Sequence, residues 1–90
     1  MRREPDFFGD RELALIYIAK RLRDALKLEK LLTDAGMDYL VEPDRYSGGI
    51  IFRTERVGAF FYVPEDALEG AREFLKMHRY KPYEKLSEAD

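Results

Sequence analysis

The run Arg45-Tyr46-Ser47-Gly48-Gly49 is the part of the chain best equipped to bind something. Adjacent glycines let backbone N–H groups close on an anion, and the forked guanidinium of Arg45 stands beside them. Lys20, Arg21 and Arg23, where the first long helix is expected to begin, add cations if the loop folds toward them. The implied chemistry is capture of a phosphate or another anionic small molecule. Neither G-x-x-x-x-G-K nor G-x-G-x-x-G occurs, so a nucleotide loop of the usual kind is not indicated. A hairpin loop that uses glycine only for its geometry would read the same way.

Catalytic groups are scarce. His78 is the single histidine. It falls on the apolar side of the second helix near its end, where packing or C-terminal capping explains it better than general-base work. The aliphatic hydroxyls are Ser47, Ser87, Thr33 and Thr54. A Ser-His-acid relay would need Ser47 and His78 to converge, and neither local sequence suggests it. The carboxylates sit among basic neighbours, and no D-x-D-type loop gathers them for a metal. With no cysteine there is no thiolate ligand, disulfide or cysteine nucleophile. The expectation is a protein without catalytic residues, metal or cofactor. The tail 78–85 interleaves aromatic and basic residues, which suits either base stacking or a strap whose tyrosines pack while its charges stay wet.

The elements that must position these groups follow from periodicity. Leu13–Ala19 is apolar on both alternating faces, as in a strand buried in the middle of a sheet. Over 22–35 the period becomes helical, with Ala25, Leu28, Leu32 and Ala35 on one stripe and Gly36 as the C-cap. Residues 38–42 read as a short strand stopped by Pro43, and 43–49 as a loop. Two further strand-like runs, 50–53 and 59–63, are joined by a tight connection at 54–58; a hairpin and one long bulged strand both fit. Pro64 opens the second helix, with Glu65 and Asp66 in its first turn and Ala67, Leu68, Ala71, Phe74, Leu75 and His78 on its buried face. The order β-α-β-β-(β)-α, with both helices on one sheet face, predicts a two-layer α/β sandwich of the ferredoxin-like kind, an α+β fold. Residues 1–11 read as a flexible lead-in, 12–81 as the single domain and 82–90 as a tail.

A two-layer sandwich leaves one sheet face open. If Ala59, Phe61 and Val63 face the helices, Phe60 and Tyr62 face outward, and apolar patches of that kind mark binding or oligomer surfaces. Phe60, Tyr62, Tyr80 and Tyr83 are therefore the candidate interface residues, and a homo-oligomer formed through the sheet is expected.

Composition narrows the classes further. The 90-residue chain has 16 Lys+Arg against 18 Asp+Glu, a net charge of -2, and a pI of about 5.5. Nucleic-acid binding, which depends on a net basic face, is disfavoured. The longest apolar run is far short of the ~20 residues of a membrane helix, and no signal-peptide pattern is present, so a soluble cytoplasmic protein is expected. Asn, Gln, Cys and Trp are all missing and 38% of residues are charged, against a usual ~25%. This is the bias of proteins from hot environments, where labile amides are avoided and ion-pair networks gain value.

The frame ELALIYIAKRLRDALKLEKLLTDAGMDYLVEP, followed by YVPEDALEGAREFL, resembles the small bacterial prokaryotic-signal-transducing-protein domains. The shared features are Leu31-Leu32 and Ala35-Gly36 closing the first helix, and Val63-Pro64-Glu65-Asp66 opening the last. The resemblance spans roughly residues 12–76 and implies a ferredoxin-like fold akin to nitrogen-regulatory PII proteins, with a regulatory role and no catalytic residues. The chain departs from the pattern at 53–58 and in its tyrosine-rich tail. A rival is an RNA-recognition-motif-like domain, whose aromatic third strand is echoed by 56–63, with the glycine displaced by one and an acidic pI against it. The expected function is a small non-enzymatic regulatory or interaction module, sensing an anionic small ligand. The alternatives are an accessory or adaptor subunit docking to a larger protein partner, and an RNA binder.

Overall fold

The computed structural model describes residues 1–48 and 54–83, and for 44–48 and 54–57 the backbone alone. In chain order the elements are α1 (Pro5–Phe8), β1 (Leu13–Ala19), α2 (Leu22–Asp34), β2 (Leu40–Gly48), β3 (Thr54–Pro64), a 3-10 turn (Glu65–Ala67) and α3 (Leu68–Met77). The strands form one antiparallel sheet in the order β1-β3-β2. The architecture is a small α+β one.

The middles of the helical stripes bury as expected, but their ends do not: Ala35, Ala67 and His78 are exposed. Ala25, Leu28 and Leu32 of α2 and Ala71 and Leu75 of α3 are buried, and they join Ile16, Tyr39, Val41, Phe61 and Val63 of the sheet in one core cluster. The Tyr39 and Phe61 rings stack at 6.0 Å. Tyr39 takes its polar end into this core because it is satisfied there: its O–H donates to Glu29 O at 2.9 Å. The Thr33 hydroxyl then donates to the Tyr39 oxygen, also at 2.9 Å. Pro64 closes β3 rather than starting an α-helix, and the 3-10 turn intervenes before α3 begins at Leu68.

Three strand expectations are corrected. β1 is an edge strand, paired only with β3 among the described strands, and not a central one. A strand apolar on both faces reports what covers its faces and says nothing about how many neighbours it has. Here part of its free edge is met by the tail, with Tyr83 N–H donating to Ile16 O at 2.6 Å.

Pro43 does not stop β2. The strand continues through it to Gly48, with Pro43 opposite Ala59. Proline lacks a ladder N–H, which an outermost strand can spare. The supposed loop is therefore strand as far as Gly48. Likewise the expected connection at 54–58 belongs to an unbroken β3, in which Gly58 pairs with Asp44. The two strands make a hairpin; the run 50–53 and Gly49 lie outside the described residues.

The helix-free face is less bare than expected. Register puts Phe60 with Ile18 and Glu42, and Tyr62 with Leu15 and Leu40, on the face opposite Phe61. There Leu40 is 6% exposed and Phe60 only 9%, while Tyr62 is half-buried. Phe60 thus offers little open aromatic surface. The lead-in is also packed: Arg2 bridges Tyr39, Arg3 N–H donates to Tyr39 O at 2.8 Å, and Phe8 is buried.

Candidate functional site

Among the described residues three places that combine shape with charge stand out, and one of them was expected from the sequence. The first lies at the root of the β2–β3 hairpin. β1 ends at Ala19, opposite Ala59, but the β2–β3 ladder runs on through five more pairs, from Asp44↔Gly58 to Gly48↔Thr54. At ~3.4 Å per residue this arm projects about 17 Å beyond the last β1 pair. Among the described residues no strand pairs with the outer edge of β3 over 54–58.

Lys20 and Arg21 stand at the foot of this arm. With Leu22, Ala25, Pro43 and Gly58 they line a hollow of about 210 Å³. Arg45 is two residues beyond Pro43 in the same strand, at the position opposite Val57. Gly48, expected in a loop, is strand and sits in the ladder opposite Thr54, while Gly49 lies outside the described residues. Ser47 also lies in the ladder, opposite Glu55.

The second place is a cleft of about 370 Å³ at the other end of the sheet. Its floor is built of small residues, Ala67, Gly70 and Ala71, and Arg11, Asp38 and Asp66 bring charge to it. Asp38 is held by Arg3 at 2.8 Å, and the Arg3 guanidinium lies 4.3 Å from the centre of the Phe7 ring. Next to the cleft, Glu12 and Glu65 bring their carboxyls together. A hydrogen bond with Glu12, and then its like charge, hold the Glu65 pKa above the ordinary 4.5. The two carboxylates and one arginine lining this cleft can orient a ligand. Among the described residues no group of His, Cys, Asp and Glu could hold a metal ion.

The third place is where α2 and the end of α3 meet. His78 is exposed at the α3 C-cap, its ring 4.4 Å from that of Phe74. Lys27, Lys30 and Tyr80 line a hollow with it, and no serine or threonine is among the described residues that line it. The two tail tyrosines differ. Tyr80 is half-buried and meets Tyr17 edge-on at 5.4 Å, whereas Tyr83 is 39% exposed. Burial, then the charge of Asp24, raises the Tyr17 pKa above the ordinary 10.0.

Sequence reasoning missed the cleft and the α2–α3 hollow because each is assembled from segments far apart in the chain. Lys27 and Lys30 at helical spacing, and the basic run after Met77, were visible signals; their juxtaposition was not.

No protein-family model, curated protein or solved structure matches the chain. Among the described residues no helix is long and apolar enough to cross a membrane.

Proposed function

We propose that this chain is a small non-enzymatic regulatory or interaction module on a ferredoxin-like frame, whose docking element is the β2–β3 arm. The observation that carries the reading is the ladder's continuation through five pairs past Ala19. An outward strand edge of that length is a template for another strand, and proteins that must stay monomeric usually blunt such edges. Pro43 blunts the β2 side; over 54–58 the β3 side has no proline and carries one charge of each sign, Glu55 and Arg56. The partner assigned to this edge is a second copy of the chain, paired antiparallel about a two-fold axis. The β1-β3-β2 order, with α2 joining β1 to β2 and β3 lying between them, supports the ferredoxin-like frame. The resemblance to signal-transducing domains supports the regulatory role.

Hydrogen exchange tests this directly. The outward amides of 54–58 are expected to be protected at high protein concentration and to lose that protection on dilution. Fast exchange at every concentration would remove the arm as a docking element.

A further inference from the structure

Both long helices end in the same hydrogen-bond motif, with different residues at its left-handed position. After α2, Met37 N–H donates to Leu32 O and Gly36 N–H to Thr33 O, each at 3.0 Å, and Gly36 has φ 76°. After α3, Tyr80 N–H donates to Leu75 O at 2.8 Å and Arg79 N–H to Lys76 O at 3.1 Å, and Arg79 has φ 67°. Glycine takes this conformation freely, whereas a residue with a Cβ does so at a cost. Arg79 is the one non-glycine residue at positive φ among those described. Its side chain is exposed and makes no ion pair among the described residues. No contact among the described residues accounts for arginine at this position.

Its surroundings do. Two hollows adjoin at Tyr80. One, of about 420 Å³, is bordered by Lys27, Lys30 and His78, and the other, of about 360 Å³, by Lys76, Arg79 and Lys81. Among the described residues Asp34 is the single carboxylate lining either, and it is paired with Lys30 at 3.1 Å. Five permanent cations therefore face outward around one tyrosine, on a protein of net charge -2. Lys76 also complements the α3 dipole and Lys30 pairs with Asp34, whereas Lys27 precedes the last turn of α2 and makes no ion pair among the described residues. Tyr80 is held in place by its edge-on contact with Tyr17.

We propose that this surface docks an acidic segment of a partner protein. Both hollows are shallow and open, whereas sites for small molecules enclose most of their ligand. A fixed tyrosine with an adjacent arginine is the pairing on which protein interfaces concentrate their binding energy. A nucleic acid is disfavoured by the net charge of -2, because its binding rests on a net basic face broader than this one patch. The surface is distinct from the arm and does not depend on it.

The probe is a fluorescein-labelled peptide of Glu, Asp and Leu, titrated at low salt by anisotropy and by amide-shift mapping, with an oligouridylate and tripolyphosphate in parallel arms. Shifts are expected at 27–31 and 76–81, and affinity should fall about tenfold or more between low and physiological salt. Affinity should drop at least about fivefold both in the Lys27→Gln/Lys30→Gln double variant and in Arg79→Gly, each substitution removing a charge from the surface. Arg79→Gly should also melt a few degrees above the parent, so its binding loss cannot come from misfolding. Absence of peptide binding, or binding indifferent to these substitutions, overturns the proposal. Tighter binding of the oligouridylate or of tripolyphosphate at the same residues overturns it in favour of a nucleic acid or a small polyanion.

Discussion

The paired helix ends allow one backbone effect to be predicted with opposite signs in a single protein. Gly36→Ala places a Cβ at φ 76°, where nothing lies within 4 Å of it, so the substitution is free of steric contact. What remains is the left-handed penalty, about 1–2 kcal/mol for a residue with a Cβ. Against it stands the lower unfolded-state entropy of alanine, about 0.4–1 kcal/mol in favour of folding. The net expectation is a loss of about 0.5–1 kcal/mol. Arg79→Gly runs the same exchange backwards at φ 67° and should gain about as much. For a domain of this length each change moves the melting midpoint by about 3–6 °C. Calorimetric melts of parent and both variants in one buffer measure it: Gly36→Ala should melt lower and Arg79→Gly higher. Shifts of the same sign, or an Arg79→Gly variant that melts below the parent, would refute the reasoning and show that the Arg79 side chain contributes to folding.

Tyr39→Phe removes the hydroxyl that donates to Glu29 O and accepts from Thr33, and should cost about 1–1.5 kcal/mol, read by urea unfolding. Burial, then the charge of Glu29, raises the Tyr39 pKa above 10.0 against the opposing hydrogen bond from Thr33. Because the folded value is the higher one, its stabilising contribution holds below pH 10 and is lost as pH climbs through the raised value; Tyr39→Phe should lessen that alkaline loss. Glu65 obeys the same sign at lower pH, so the parent gives up stability as pH rises through the raised Glu65 value. Glu12→Gln should therefore melt above the parent at neutral pH, with the difference gone below 4.5. A parent midpoint well above the mesophile range of about 45–65 °C is expected from the composition, and a midpoint near 50 °C would contradict it.

The helices were legible because burial at helical period leaves a pattern that no other element imitates: Ala25, Leu28 and Leu32 are buried as spaced. The strands were less so. Pro43 reads as a terminator only if its strand has neighbours on both sides, and edge position is a property of topology, which a single strand's sequence does not carry. The same gap turned β1 into a central strand. In the sites, Lys20 and Arg21 line a hollow with Pro43 and Gly58 at the foot of the hairpin, and glycine's usual role in loops misplaced Gly48, which is strand. The left-handed turn at Arg79 had no sequence signal at all, since arginine gives no hint of positive φ. The meeting of Lys27 and Lys30 with Tyr80 follows from packing between α2 and the end of α3, which periodicity orients but does not align.

Self-association through the arm is the central claim, and light scattering coupled to size exclusion on two chains tests it most directly. One is the parent. In the other, residues 45–57 are replaced by Asn-Gly, a two-residue turn that closes the hairpin just past the Asp44↔Gly58 pair. The account predicts a symmetric oligomer for the parent and a folded monomer, with unchanged helical circular dichroism, for the shortened chain. A monomeric parent, or a shortened chain that keeps the parent's oligomeric state, would contradict it.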